Sequence, residues 1–328
     1  MLNKPLVLNT WLILGYLALF ALVPICTTSK YQMLLASHVF IWGLFAVSFN
    51  MLFGVTGMLS FGQALYYGLG AYSVGLCVKY LGAAWFLPGM LLGLLSAVVL
   101  SWLLGHLIIR VSGVFFTMLT LTFGQLGWQV MFKWYSFTGG DDGVQSIIPP
   151  GILANKVVYY YFALALVGLS IWFLGRLTAS PMGLILRCVR QNPDRVRFLG
   201  RRVRRNQQRI YIISSLFTAL AGALMSGVDS SIHTDMFYWT TSGHVILMSI
   251  LGGIGQFLGP LVGAAVIVTI EDVVGAFTEY WSLIIGTVML VMVLGLPRGL
   301  MGEIVQLRAR YVGRAGRAEG AGAQGGEA

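Results

Sequence analysis

Eight polar residues interrupt otherwise apolar sequence: Asn50, Ser60, Gln63, Thr120, Gln125, Ser242, His244 and Gln256. A buried amide, hydroxyl or imidazole surrounded by hydrocarbon needs a partner, so each either ties two helices together or lines a route for a solute. Amides and hydroxyls donate and accept without net charge, so the set suits a polar, zwitterionic or amide-bearing solute better than a simple ion. His244 has no carboxylate three or four residues away and reads as a structural hydrogen-bonding group; Glu271 and Asp272 are better proton or ion candidates, but their place near the outer end of a span also suits simple caps. No GxxxxGK(S/T) phosphate loop is present, so the chain does not hydrolyse ATP through a P-loop, and neither HExxH nor a nucleophile elbow supports a membrane hydrolase. Cys26, Cys77 and Cys188 form no CxxC or Cys/His cluster, which predicts neither a disulfide framework nor a metal site.

A second constellation is cationic. Between Arg176 and Arg209 ten arginines stand against one acid, Asp194. A solvated, retained loop explains charge but not the pattern within it. Pro181 and Pro193 each suit the first position of a short helix, and Gly200 suits a stop. Two short interfacial helices carrying Pro181, Gly183, Arg187, Arg190, Asn192, Asp194 and Gly200 are therefore expected, with 176–208 forming a docking platform for a cytoplasmic partner.

The elements that position these groups are transmembrane helices. Of 328 residues 57% are hydrophobic and only 10% charged, with mean hydropathy +0.82. So few charges cannot cover a water-facing surface. An all-α polytopic membrane protein of about ten transmembrane or broken helices is predicted, with spans near 7–26, 31–53, 61–78, 85–108, 112–131, 157–175, 209–227, 241–254, 258–275 and 280–296. The stretch from Leu6 to Ile25 reads as a retained span rather than a cleaved leader. Lys4, Arg110, the loop arginines, Arg298, Arg308, Arg310, Arg314 and Arg317 then share one side, and Lys30, Lys79, Lys133 and Lys156 the other. Both termini are expected in the cytoplasm. The net charge of +10 is thereby explained without nucleic acid. Residues 1–310 read as one transmembrane domain and 311–328 as a disordered tail.

Glycine clusters at two places, from Gly54 to Gly70 and from Gly252 to Gly263, each pairing Gly with Gln at Gly62-Gln63 and Gly255-Gln256. Such segments permit broken helices lining a cavity, and their likeness hints at inverted repeats. The segment from Phe132 to Lys156, with Thr138-Gly139-Gly140-Asp141-Asp142-Gly143, reads as an external loop of turns.

Taken in order, several of these pieces carry a family likeness. Gly57-Met58-Leu59-Ser60-Phe61-Gly62-Gln63-Ala64, the Thr138–Gly143 turn, Pro181-Met182-Gly183, Arg190-Gln191-Asn192-Pro193-Asp194, the stretch from Leu251 to Ala264, and Leu296-Pro297-Arg298-Gly299 together resemble the branched-chain amino-acid ABC permease family, in its longer permease subunit, which includes urea-type relatives. The resemblance implies a non-catalytic subunit in a bacterial inner membrane, binding no cofactor itself. It implies a second, shorter permease with a substrate passage between the pair, two cytoplasmic ATPases that use ATP and Mg2+, and a periplasmic binding protein. It also places Pro181 to Gly200 in the coupling region. The family commonly has an acidic residue near His244, a small Ser or Thr near Gln256 and a coupling segment richer in Ala and Glu. These departures leave urea, short amides and organic or aromatic acids open beside Leu, Ile and Val. The added Arg201, Arg202, Arg204 and Arg205 imply an ATPase with an acidic groove. An ion-coupled secondary transporter is the nearest rival.

Overall fold

The computed structural model describes residues 10–26 and 29–277, together with 283, 284, 286, 287, 290, 295 and 299–303. The described chain is mostly helical: α1 (Thr10–Cys26), α2 (Lys30–Asn50), α3 (Gln63–Leu81), α4 (Phe86–Ile108), α5 (Val114–Lys133), the single turn α6 (Tyr135–Thr138), α7 (Lys156–Ala179), α8 (Pro181–Gln191), α9 (Pro193–Phe198), α10 (Val203–Asp229), α11 (Trp239–Gly252) and α12 (Gly259–Phe277). Among the described residues, five helical stretches are long and apolar enough to cross a membrane: Lys30–Thr56, Ala83–Ile108, Lys156–Ala179, Val203–Asp229 and Gly259–Phe277. Each of the first nine expected spans contains a helix. The tenth, at 280–296, falls mostly outside the described residues, as do Lys4, Arg298, Arg308, Arg310, Arg314, Arg317 and the tail at 311–328.

Helices α2, α3 and α10 form the centre, with α4 against α3 and α10, α12 and α7 against α2, and α1 outside α7. Lipid tails are as apolar as leucine, so close van der Waals packing and buried hydrogen bonds must hold these helices together. Both are present. Phe45 and Trp42 of α2 stack on Tyr67 of α3, with ring centroids 5.0 and 5.6 Å apart. Ser48 of α2 bonds Thr218 of α10 at 2.8 Å, and the Ser214 hydroxyl donates to the Ser48 carbonyl at 2.6 Å.

At the α3–α10 contact the backbones nearly touch. A Cβ on Gly222 would collide with the Tyr67 carbonyl, and one on Gly70 with that of Ala219. Gly222→Val is therefore expected to force α3 and α10 apart at a cost of about 3 kcal/mol. Thermal aggregation of the detergent-solubilised chain checks this; an unchanged midpoint would show that the contact yields.

Val144–Gln145 (β1) pairs antiparallel with Ser231–Ile232 (β2), joining the loop after α6 to the end of α10. Thr138 is buried there and donates to the carbonyls of Met131 and Trp134 at 2.6 and 2.9 Å. The Tyr135 hydroxyl donates to Asp142 at 2.6 Å, and that hydrogen bond pushes the phenol pKa up. The expected loop of turns is thus pinned to a neighbouring element.

Candidate functional site

The start of α3 organises the site. At the end of α2 the chain runs through a π-helical turn, Met51–Thr56, and then breaks at Gly57, whose φ of +76° suits glycine. It resumes as a helix at Gln63, preceded by Gly62, which has no side chain with which to cap the first backbone N–H groups. Neighbouring helices supply the missing acceptors. Ser242 Oγ of α11 accepts from Ala64 N at 2.9 Å, and Thr120 Oγ1 of α5 accepts from Phe61 N at 3.2 Å. Thr117 adds a hydroxyl bond to the Leu59 carbonyl at 3.0 Å. Glycine at 62 is required by the approach of α5: a Cβ there would lie 2.5 Å from the Thr120 carbonyl oxygen.

Four of the eight polar residues singled out by sequence, Ser60, Gln63, Thr120 and Ser242, meet at this helix start, all at most 1% exposed. Gln63 Oε1 accepts from Thr218 Oγ1 at 3.3 Å, but Gln63 Nε2 and Ser60 Oγ have no hydrogen-bond partner. Thr218 lies eight residues along α10 from Ile210, where the apolar run begins, so α3 starts roughly 12 Å inside that boundary. A positive helix terminus and two unsatisfied buried groups thus share one place in the bilayer. These groups are buried within the chain. The cover is α5, whose buried positions are confined to one stripe, Phe116, Thr120 and Gly124.

The other four residues do not join this cluster. Asn50 Nδ2 donates to the Gln256 carbonyl at 3.2 Å, bringing the two Gly-Gln segments together, while Asn50 Oδ1 is unpartnered. The Gln125 amide nitrogen is likewise buried without a partner. His244 Nδ1 lies 3.0 Å from Glu271 Oε1 of α12. The sequence treated His244 as lacking a carboxylate and Glu271 as a proton candidate or a cap; the fold supplies the acid from 27 residues away. Asp272 takes the hydroxyl of Tyr31. Sequence reasoning missed Thr218 and the His38–Asp229 pair at 2.7 Å; the only signal was an ionisable residue ending an apolar run.

Helices begin at both loop prolines. Ser180 Oγ accepts from Gly183 N at 3.5 Å, and Asn192 Oδ1 accepts from Asp194 N and Arg195 N at 3.1 and 3.0 Å, which caps α8 and α9. Gly200, with φ +74°, follows α9. Val189, Val196 and Val203, with Ile185, form a small separate core beneath them. Asp194 pairs with Arg197 at 2.8 Å. Arg187 donates to the Thr178 carbonyl at 3.3 Å, and a Cβ on Gly183 would strike that same oxygen. Arg190 reaches furthest. Its guanidinium donates to the Gly54 carbonyl in the π-helical turn, and its stem packs over Gly57. At the far end of the platform Phe198 is 91% and Leu199 78% exposed, an apolar pair standing among the arginines.

Residues 33–293 match the family described as branched-chain amino acid transport system, permease component. The chain is similar to the high-affinity branched-chain amino acid transport system permease protein LivM of Escherichia coli strain K12, 26% identical over 294 residues that span 81% of this chain and 69% of that protein. It is similar to the probable branched-chain amino acid transport permease protein LivM of Methanocaldococcus jannaschii, 25% identical over 82% of this chain and 94% of the relative. It also resembles the high-affinity branched-chain amino acid transport system permease protein LivH of Salmonella typhimurium, at 21% over 80% and 91%. No solved structure matches.

Proposed function

The chain belongs to the branched-chain amino acid transport permease family, and from that membership we propose that it is one membrane subunit of an ATP-driven importer for branched-chain or related amino acids. It works beside a second permease, of the kind represented by the LivH relative, in a bacterial inner membrane. Two cytoplasmic ATPases hydrolyse ATP with the help of Mg2+, and a periplasmic binding protein delivers the solute. This chain performs no catalysis. It converts movement of the platform at 176–208 into opening of the site at the start of α3.

The observation that carries this reading is the Arg190–Gly54 hydrogen bond, which joins the platform directly to the broken backbone leading to that site. Phe198 and Leu199 offer the ATPase an apolar foothold. When ATP closes the ATPase pair, α8 and α9 are displaced, Arg190 carries the displacement to the π-helical turn, and α5 parts from Gly62. Ser60 and Gln63 then meet the solute on the face toward the second permease. Their donors, beside the positive end of a helix, favour a solute bearing a carboxylate over neutral urea or a simple amide.

The test uses proteoliposomes holding the full complex. Gly183→Leu is expected to push α8 off the Thr178 carbonyl, leaving ATP hydrolysis intact while leucine uptake falls about ten-fold, the effect of roughly 1.4 kcal/mol in the coupling equilibrium. Equal uptake by variant and parent would remove the platform from the mechanism. Uptake by the isolated chain, driven by an ion gradient without ATP, would replace the importer reading with a secondary transporter.

A further inference from the structure

A cavity of about 580 Å3 opens where the end of α4 meets the beginning of α10. Its wall carries Arg110 from the turn after α4 and Arg204, Arg205 and Arg209 from the first two turns of α10, with His106 and Trp102 alongside. Gln208 Nε2 donates to the Trp102 carbonyl at 2.8 Å and fixes the two helices there. Among the described residues, no carboxylate lies within ion-pair distance of any of the four arginines. Retention of a basic loop on one side of the membrane requires the charge but not its convergence; Arg110 comes from a different loop and meets the other three in one concavity.

The cavity lies at the water-facing end of two spanning helices, since the apolar run of α10 begins at Ile210, next to Arg209. From its mouth an exposed apolar stripe climbs α4 through Leu107, Leu103, Val99 and Leu95. Trp102, also exposed, sits at the junction, the depth at which an indole spans the headgroup boundary. An acidic protein segment or a free anion would use the arginines but leave the stripe without a role. A phospholipid uses both, with acyl chains along α4 and phosphate among the guanidinium groups.

We propose that the α4–α10 cavity binds the headgroup of an anionic phospholipid of the inner leaflet. Arg204 and Arg205, which the sequence assigned to an acidic ATPase groove, thereby anchor the base of α10, the helix that carries Thr218 and the packing surface for α3. The site is distinct from the platform groups Arg187 and Arg190 and does not depend on the importer reading.

Purified full-length chain in dodecyl maltoside is heated with added phosphatidylglycerol, phosphatidylcholine or inorganic phosphate. Phosphatidylglycerol is expected to raise the melting midpoint by several degrees and the other two to leave it unchanged. The triple variant R204Q/R205Q/R209Q should lower phosphatidylglycerol affinity by on the order of 100-fold, about five-fold per arginine. Because the triple variant risks misfolding, Arg110→Gln, from the other loop, is measured in parallel and should lose about five-fold. Equal stabilisation by phosphatidylcholine, equal stabilisation by phosphate, or undiminished phosphatidylglycerol affinity in Arg110→Gln would each overturn the proposal.

Discussion

Arg190→Met is expected to reduce ATP-driven uptake by about 10- to 100-fold, the range for loss of one hydrogen bond from a charged donor, while ATP hydrolysis and ATPase docking persist. The reasoning is geometric. Ser180, Pro181, Asn192 and Pro193 shape α8 and α9 locally, and the valine core beneath them does not involve Arg190. Methionine keeps much of the apolar stem that lies over Gly57 and removes the group bonded to the Gly54 carbonyl. That carbonyl belongs to a π-helical turn, where backbone hydrogen bonding is already irregular and an external donor can decide between two arrangements. The platform of the variant should therefore still engage its partner and move, but the movement should stop at the membrane. Arg190→Lys should recover part of the uptake, since an ammonium can reach a single carbonyl. Hydrolysis and leucine uptake measured in the same proteoliposomes provide the check; proportional loss of both would mean that Arg190 serves docking and not transmission.

Features set by local chemistry were legible in the sequence. Long apolar stretches announced the helices, because bilayer thickness sets their length. Pro181 and Pro193 announced two helix starts, because the fixed proline backbone suits the first helical position whatever surrounds it. Glycine density marked the two breaks, and the structure puts those breaks side by side through Asn50 and Gln256. What escaped was every relation that depends on how helices rotate and slide against one another. Glu271 could not be assigned to His244, nor Arg190 to Gly54, because nothing local encodes the register between α11 and α12 or between α8 and the π-helical turn. The polar set divided for the same reason. Ser60, Gln63, Thr120 and Ser242 lie on three helices and the break before α3, and converge only because Gly62 leaves the start of α3 without its own cap. In isolation each reads equally well as a tie between helices. Thr120 and Ser242 do act as ties, through their bonds to Phe61 and Ala64; Ser60 and the Gln63 nitrogen do not.

That difference makes Gln63 the sharpest probe of the site. If its role were purely structural, Gln63→Leu would lose the Thr218 bond and destabilise the chain by about 1 kcal/mol, with uptake following stability. In the proposed role the amide nitrogen is held unsatisfied for a carboxylate that arrives during transport. Leucine then loses the Thr218 bond but also removes a buried donor that costs free energy in the empty state, so the two effects offset and stability should stay about level. Uptake of leucine should still fall about 10- to 100-fold, because a charge-assisted bond is lost only when substrate is present. Gln63→Glu separates the readings further. A carboxylate at the first position of α3 is favourable for the helix terminus and would occupy the place of the substrate's own carboxylate, so uptake should vanish, with any fall in the midpoint set by the cost of burying the new carboxyl group. Melting midpoint and leucine uptake measured on both variants decide the matter. In Gln63→Leu, loss of stability together with uptake would make Gln63 a structural tie, whereas retained stability with lost uptake identifies it as a group the solute must touch.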